Sequence, residues 1–456
     1  MFCGFDYGTS NCAVGIVDKQ RNNTKLLPLE GEHYFLPSCV YALGRELICE
    51  QVALNIGNKT SQQTYLQDRA AVLQQAAKFR RDESIGSDEQ SIYYGRAAFS
   101  EYFSLPDEGY FVKSAKSFLG VSGVRAEFIN FFEDIVTLMM MQIKQRAEQS
   151  SEAHLTSTVI GRPVNFQGIN TEKSNTQALN ILTNSAKKAG FKDVEFLYEP
   201  IAAGLDFERQ LSDNKKVLVV DIGGGTSDCA MVCMGPDHIN KADRYQDFIG
   251  HSGERIGGND FDIHLAAHSL MPHLGMKSNL KAGLPMPTQI FWDAVSTNDV
   301  GAQATFYSLQ TSLQLKQLLI DTSEPELLKR LINIRNKKQN QQIVRRSEES
   351  KIALSEQITV DASLSFIEQE LSAGIHLDDM RAAARRPLQK IVNLMREAVN
   401  QANVQPDIIY ITGGSAKSPI VREAVQHHFG DIEVVDGDHF GSVANGLTLW
   451  SQKLFS

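Results

Sequence analysis

One stretch decides the fold: VLVVDIGGGTSD, at residues 217–228. An uninterrupted apolar run leads into Asp221, three glycines follow, and β-prone residues resume at Cys229. Apolar runs bounded by glycine-rich turns are typical of buried strands. We therefore predict strands over residues 217–221 and 229–234, joined by a turn whose backbone a ligand can approach closely.

The same pattern opens the chain. Residues 2–6 and 12–18 are short β-prone runs, and the polar sequence YGTSN joins them. The two hairpin segments are also similar in sequence, since TSNCA at residues 9–13 corresponds to TSDCA at residues 226–230. A repeat this widely separated indicates two related lobes, since solenoid repeats recur every ~20 to 50 residues.

Helices alternate with single strands in the rest of the chain. Helices are predicted over residues 129–149, 171–189, 380–402 and 441–453 and from Pro419, and strands over residues 158–162, 194–198 and 407–412. This alternation predicts an α/β protein whose mixed sheets are flanked by helices. The glutamine-rich residues 61–75 and the polar residues 303–346 look like insertions.

The repeat suggests a division of the chain into two lobes. We expect lobe I over residues 1–211, with the C-terminal segment 437–456 packing back on it. Lobe II would span residues 212–436, including an expanded subdomain at about residues 263–347.

Composition excludes several classes of protein. The 456 residues are 42% hydrophobic and 22% charged, which indicates a globular protein with large cores. A net charge of -9 disfavours a nucleic-acid or membrane-surface partner. The sequence begins with a strand pattern rather than a basic and apolar leader, so we expect a cytoplasmic location. The six cysteines have no CxxC spacing and are expected to be reduced core thiols.

Both turns carry groups suited to a phosphate chain. Gly8 and the glycines at residues 223–225 would let backbone N–H groups approach phosphate oxygens. The neighbouring hydroxyls of Thr9, Ser10 and Thr226 can donate to the same oxygens or order the water shell of a metal. Two matching turns of this kind predict a nucleotide site.

An aspartate ends the apolar strand before each turn. Asp6 and Asp221 would be carboxylates in a cleft. Mg²⁺ keeps most of its waters and is commonly held through one or two carboxylates plus phosphate. We therefore predict Mg²⁺ beside these two aspartates.

Six motifs resemble, in order, those of the DnaK-type heat-shock chaperones, a family of the actin-like ATPase superfamily. They are GFDYGTS at residues 4–10, KSFLG at 116–120, EPIAA at 199–203, DIGGGTSD at 221–228, IGGNDFD at 256–262 and GGSAKSP at 413–419. The resemblance covers nearly the whole chain. It implies two ribonuclease H-like lobes with a nucleotide cleft between them, binding ATP or ADP with Mg²⁺.

The resemblance also implies roles for matching residues. Lys116 would position the attacking water and neutralise charge on the γ-phosphate, and Glu199 would orient that water or the magnesium shell. Asp221 and Thr226 complete the implied catalytic set, and Asp6 and Asp221 would hold the metal. The implied nucleotide-binding residues are Gly8, Thr9, Ser10, Asn11, Gly223, Gly224, Gly225, Thr226, Gly257, Gly258, Glu348, Lys351, Ser355, Gly413, Gly414, Ser415 and Lys417.

The sequence departs from the family pattern at two positions. Ile352 and Lys417 stand where the family has arginines whose guanidinium planes sandwich the adenine. An isoleucine can pack on the base and a lysine can lie over it, but the planar stacking is lost. The family also continues into a peptide-binding domain, which we expect this chain to lack.

Four functional classes follow from this pattern. The first is an ATP-hydrolysing switch with a client or partner protein, whose chemistry depends on Lys116 and Glu199. A small-molecule kinase would require a carboxylate base and a substrate pocket, and no sugar-kinase motif is present. A filament-forming protein is disfavoured by Lys116 and the adenosine motif. A nucleotide-binding scaffold would bind ATP without hydrolysing it.

Overall fold

The computed structural model describes residues 1–18, 23–105, 108–121, 123, 125–166, 171–241, 244–437 and 441–456. The chain divides into two compact units. The first comprises Met1–Arg255, Ile391–Ala416 and Gln426–Ser456, and the second comprises Ile256–Lys390 and Lys417–Val425. The predicted boundary at residues 211–212 lies inside the first unit, and the predicted C-terminal segment includes residues 438–440, which lie outside the described residues.

The described residues contain sixteen strands. In chain order these are β1 (Phe2–Tyr7), β2 (Asn11–Asp18), β3 (Asn23–Leu26), β4 (Leu36–Pro37), β5 (Cys39–Ala42), β6 (Ile92–Tyr94), β7 (Tyr110–Lys113), β8 (Ser157–Arg162), β9 (Asp193–Tyr198), β10 (Lys215–Ile222), β11 (Ser227–Met234), β12 (Phe248–Glu254), β13 (Thr359–Ser363), β14 (Ser372–His376), β15 (Ile408–Thr412) and β16 (Glu433–Asp436).

The same residues contain seventeen α-helices. In chain order these are α1 (Arg45–Asn55), α2 (Lys59–Asp68), α3 (Ala70–Asp82), α4 (Gly95–Ser104), α5 (Ala126–Ser151), α6 (Thr171–Lys188), α7 (Glu199–Glu208), α8 (Pro236–Ile239), α9 (Gly258–Leu265), α10 (Gln289–Val295), α11 (Val300–Tyr307), α12 (Leu309–Asp321), α13 (Pro325–Asn336), α14 (Asn340–Ala353), α15 (Leu377–Ala402), α16 (Pro419–Phe429) and α17 (Ser442–Phe455).

Two large sheets in the first unit share one topology. One has the strand order β3-β2-β1-β8-β9, with β4 paired to β2, and the other has the order β12-β11-β10-β15-β16. In each sheet an antiparallel hairpin, β1–β2 or β10–β11, is extended by two parallel strands. The predicted α/β class and the repeated hairpin are confirmed.

The composition of β10 accounts for its central position. Val217, Leu218, Val219 and Val220 are all fully buried. A strand covered on both faces has a continuous apolar run rather than an alternating one. The same reasoning predicted the hairpin from sequence, and the remaining predicted helices and strands are also present, with ends shifted by a few residues.

Glycines let α17 approach the first sheet and α7 closely. A Cβ added at Gly4 of β1 would lie 2.3 Å from the backbone nitrogen of Thr448, and one added at Gly15 of β2 would lie 2.3 Å from its Oγ1. On the helix itself, a Cβ at Gly446 would lie 1.7 Å from the carbonyl oxygen of Ala202 in α7. Backbone packing of this kind leaves no room for a side chain.

We expect Gly446→Ala to destabilise the protein by about 2 kcal/mol. Alanine is favoured over glycine within a helix by about 1 kcal/mol, but the clash is with a backbone oxygen that cannot rotate away. Thermal and urea unfolding would measure the change. Gly57→Ala is the matched control, because no atom lies within 4 Å of its added Cβ. Equal stability of the two variants would contradict the prediction.

A buried ion-pair network joins α7 to the segment after α8. The Arg244 guanidinium donates to both Glu208 oxygens, at 2.8 and 2.9 Å, and to Asp247 Oδ2 at 2.5 Å. Glu208 also accepts from the backbone N–H of Gly235 at 2.9 Å. The second oxygen of Asp247 lies 3.0 Å from the Lys241 ammonium. Nothing in the sequence pattern predicted this network.

The second unit contains the β13–β14 hairpin and most of the remaining helices. The polar segment 303–346, interpreted as an insertion, lies within α11 to α14. In the first unit, the glutamine-rich segment 61–75 lies within α2 and α3. None of the helices within the described ranges combines the length and apolar content that crossing a membrane requires.

Candidate functional site

The two predicted glycine turns lie against each other in the first unit. A Cβ added at Gly224 would lie 1.8 Å from Ser10 Oγ, and one added at Gly225 would lie 2.6 Å from Thr9 Cγ2. Within the first turn, a Cβ at Gly8 would lie 2.1 Å from the carbonyl oxygen of Asn11. The glycines are therefore required for the two turns to meet, which the sequence suggested but did not establish.

Ser38 holds the first turn in place through hydrogen bonds, and this role was not predicted from the sequence. Its hydroxyl donates to the carbonyl oxygen of Gly8 at 2.6 Å, and its backbone N–H donates to the carbonyl oxygen of Ser10 at 2.8 Å. Its own carbonyl accepts from Ser114, the residue before the 3₁₀ turn Ala115–Phe118. Ser38 thereby connects the turn to the segment that carries Lys116.

Lys116 and Glu199 form a buried ion pair. The Lys116 ammonium donates to Glu199 Oε1 and to the carbonyl oxygen of Gly161, the latter at 3.3 Å. Burial alone would lower the pKa of Lys116, but the charges of Glu199 and Asp6 outweigh it and raise the pKa. Lys116 therefore stays protonated and has a fixed position.

Three aspartates are buried beside this pair. Burial, followed by the charge of Glu199, raises the pKa of Asp6 to about 7 and that of Asp228 to about 8. Burial and the charges of Glu199, Asp228 and Asp6 raise the pKa of Asp221 well above its usual value. The Lys116 ammonium is therefore close to four carboxyl groups: Glu199 and the three aspartates. Because the carboxyl groups outnumber the ammonium, this arrangement favours a further cation.

Asp228 was quoted in the sequence motif without a role, and its contacts explain its position. Its Oδ1 accepts from the backbone N–H of Val164 at 2.7 Å, and the Thr226 hydroxyl donates to the same carboxylate. Val164 follows β8 of the first sheet, whereas Asp228 lies on β11 of the second. The carboxylate therefore links the segment after β8 of the first sheet to β11 of the second.

A narrow recess of about 10 Å³ opens beside Lys116. Its lining combines hydroxyl, backbone and cationic groups: Thr9, Lys116, Ser117, Pro163, Phe166, Gly225, Thr226 and Arg255. Ser117 and Arg255 were not predicted as site residues. The two charged residues in this lining, Lys116 and Arg255, are both cations.

A third glycine turn lies at the same place. Gly413 follows β15 and has a φ of +89°. A Cβ there would lie 2.3 Å from the carbonyl oxygen of Ile222 and 2.7 Å from Asp221 Oδ1. The next residues of this predicted motif, Gly414 and Ser415, also belong to the first unit.

The other predicted nucleotide residues belong to the second unit. Gly257 precedes α9, and Lys351 donates to the carbonyl oxygen of Gly258 at 3.2 Å while pairing with Asp262 at 2.7 Å. Ser355 donates to the carbonyl oxygen of Lys351 at 3.4 Å. Asp262 was not predicted, although it stands in a quoted motif.

Glu348 and Ile352 lie on α14 and Lys417 precedes α16. Glu348 pairs with Arg345 at 3.0 Å, and Ile352 is exposed. Lys417, like the α14 residues, is part of the second unit.

Comparison with known proteins identifies a family model and several relatives to which this chain is similar. A family model described as MreB/Mbl protein matches residues 121–262, which include Glu199 and the second glycine turn. Mouse heat shock 70 kDa protein 13 is 24% identical over 266 residues, covering 58% of this chain and 49% of the mouse protein. A chaperone protein HscA homolog from Burkholderia orbicola is 23% identical over 461 residues, covering 99% of this chain and 58% of that protein.

Human heat shock 70 kDa protein 13 is 23% identical over 464 residues, covering 98% of this chain and 87% of the human protein. The chain thus spans about half to three fifths of the length of the mouse and Burkholderia relatives. These matches show that the chain is similar to MreB/Mbl proteins over residues 121–262 and to heat shock 70 kDa protein 13 and HscA homologs over a longer span. The mixed α/β sheets agree with an actin-like fold.

Proposed function

We propose that this protein binds ATP with Mg²⁺ and hydrolyses it slowly, as a nucleotide-driven switch related to the heat-shock 70 chaperones. The observation that carries the proposal is the buried group of four carboxylates around Lys116, directly behind two glycine turns that touch. Buried like charges are costly for a fold, and they cluster where a function needs them.

The glycine turns would hold the phosphate chain. Gly224 and Gly225 lie against the side chains of Ser10 and Thr9. Backbone N–H groups of one turn and hydroxyls of the other would then donate to the same phosphates. Donors fixed by the fold stabilise phosphate charge without reorganising during the reaction.

Lys116 would act at the terminal phosphate. It lines the recess, and its ion pair with Glu199 holds its position. Phosphoryl transfer depends mainly on positioning and on electrostatic stabilisation of the transferred group. Glu199, the partner of Lys116, would orient the attacking water.

The carboxylates fit Mg²⁺, with Asp6 and Asp221 as the residues that would hold it. Mg²⁺ keeps most of its waters and is commonly held through one or two carboxylates plus phosphate. Within the described ranges, no three His, Cys, Asp or Glu side chains are grouped so that they could hold a metal ion. Bound Mg²⁺ would neutralise phosphate charge, and the unfavourable charge of the aspartates would be relieved.

Glu348, Lys351, Ser355 and Lys417 would contact the adenosine. The loss of two stacking arginines, at Ile352 and Lys417, lowers the affinity expected for adenine.

We propose lobes I and II at the predicted boundaries, a cytoplasmic location, and a client or partner protein that responds to the bound nucleotide.

The test is nucleotide binding by calorimetry and ATP turnover by phosphate release, measured on the same preparation. Slow turnover that requires Mg²⁺ supports the switch. Binding without turnover would identify a scaffold, the alternative favoured by the missing arginines. Turnover that a metabolite stimulates would identify a small-molecule kinase. Failure to bind ATP or ADP would reject the proposal.

Asp221→Asn should have opposite effects on the ligand-free and the loaded protein. Because its pKa is raised in the folded protein, this carboxyl lowers the stability of the fold as pH rises from its unfolded-state pKa through its folded-state pKa. Replacing it with an amide should therefore raise the melting temperature at pH 8. The variant should lose most of the stabilisation that ADP with Mg²⁺ gives the parent.

Thermal unfolding with and without ADP and Mg²⁺ measures both effects. Asp82→Asn, at the exposed end of α3, is the matched control and should behave like the parent. A lower melting temperature for ligand-free Asp221→Asn would contradict the electrostatic argument, and full stabilisation by ADP with Mg²⁺ would remove Asp221 from the site.

A further inference from the structure

The helix α12 is apolar on two opposite faces. Leu315 and Leu318 are buried, whereas Leu309, Leu313 and Ile320 are 76%, 57% and 64% exposed. A helix that is apolar all round is normally buried on all sides. The outward face of α12 is therefore an unusual surface for a protein with 22% charged residues.

The exposed residues form one continuous stripe. With Lys316, which is also exposed, they are spaced by four, three and four residues, and at 3.6 residues per turn they fall within an arc of about 60°. This is the spacing of the seam by which one helix packs against another. We refer to Leu309, Leu313, Lys316 and Ile320 as the α12 stripe.

The sequence around most of the α12 stripe is nearly free of charge. Residues 300–320, which cover α11 and almost all of α12, contain one charged residue, Lys316. Depletion of charge with retention of exposed apolar side chains is characteristic of the centre of a protein–protein interface. The loop that bonds to the end of α12 adds another exposed apolar residue, Leu284, at 62%.

The charges that do border the stripe are mainly positive. Lys316 lies within it, and the Lys281 ammonium donates to the carbonyl oxygen of Ile320 at 2.6 Å, at the end of the helix. Asp321 accepts from Gln317 at 2.9 Å. Covering the stripe would remove Lys316 from water, and a buried ammonium requires a carboxylate partner.

We propose that the α12 stripe binds an amphipathic helix of another protein, with apolar residues at the same spacing and one carboxylate opposite Lys316. A second copy of this chain fits less well, because antiparallel pairing of two stripes would enclose two lysines in one seam with no carboxylate between them. This surface lies in the second unit, and its role does not depend on nucleotide hydrolysis.

Two synthetic helical peptides test the proposal. Each peptide has four seam positions, spaced by four, three and four residues like those of the α12 stripe. Leucine occupies three of them. The remaining position, opposite Lys316, is glutamate in one peptide and lysine in the other. Fluorescence anisotropy with the full chain should show at least tenfold tighter binding of the glutamate peptide. Lys316→Glu should invert this preference, and Leu313→Ser should abolish binding of both peptides while leaving the melting temperature unchanged.

Gln314→Glu is the control, because it adds a negative charge at an exposed position of the same helix, about 100° around its axis from the stripe. It should leave the preference of the parent in place. Absence of peptide binding, or a preference that Lys316→Glu does not alter, would overturn the proposal. A dimer of the parent in sedimentation that Leu313→Ser dissociates would also overturn it, because a second copy would then be the occupant.

Discussion

Lys116→Ala should reduce ATP turnover by about 10²- to 10³-fold while nucleotide binding persists. The ammonium lines the recess beside the glycine turns, and its two acceptors fix its position. A cation placed in this way contributes mainly to the transition state, because charge on the transferred group develops there. Single-turnover hydrolysis, with binding measured by calorimetry, separates the two effects.

The variant has a structural consequence that must be separated from the chemical one. Loss of the ammonium leaves Glu199 and the nearby Asp6 without their cation, so the ligand-free protein should also melt at a lower temperature. Adding Glu199→Gln to Lys116→Ala should recover part of the stability but none of the turnover. Lys113→Ala, on the preceding strand β7, is the matched control. Full turnover by Lys116→Ala would remove the residue from the reaction.

Arg244→Met should reduce the free energy of unfolding by about 3–5 kcal/mol. The guanidinium is the shared partner of Glu208 and Asp247, and all three side chains are buried. Removing it leaves Glu208 with the backbone N–H of Gly235 as its remaining partner among those described above. An uncompensated buried carboxylate is costly because the interior does not solvate it.

Arg381→Met is the matched control for this variant. Arg381 also pairs with two carboxylates, Glu423 at 2.8 Å and Asp378 at 2.7 Å, but on an exposed surface. Exposed pairs contribute little, so the control should unfold at nearly the denaturant concentration of the parent. Equal loss from both variants in urea unfolding would show that burial does not decide the effect.

The hairpins and glycine turns could be predicted from sequence because their determinants are local. Residues 217–220 form an apolar run that leads into Asp221, and Gly223 begins the turn, so both the strand and its end can be predicted without the rest of the chain. Gly8 shows the same pattern in the first hairpin. The doubled topology then follows from the repetition of one local motif.

The contacts that complete the site could not be predicted in this way. Ser38 reaches the first turn from 30 residues away in the chain, and Asp228 meets Val164 across 64 residues. Arg244 reaches Glu208 across 36 residues. Such pairings depend on how strands and helices are placed in space, and the sequence around each partner is ordinary.

The burial of the cysteines makes them natural reporters of local opening. Cys3 and Cys12 lie in the first hairpin and Cys229 in the second, and burial raises the pKa of the first two to about 12. A thiolate-seeking reagent should therefore modify the partly exposed Cys233 first, and the others only as their strands open. The order of labelling, followed by mass spectrometry, would show whether nucleotide tightens both hairpins together or one before the other.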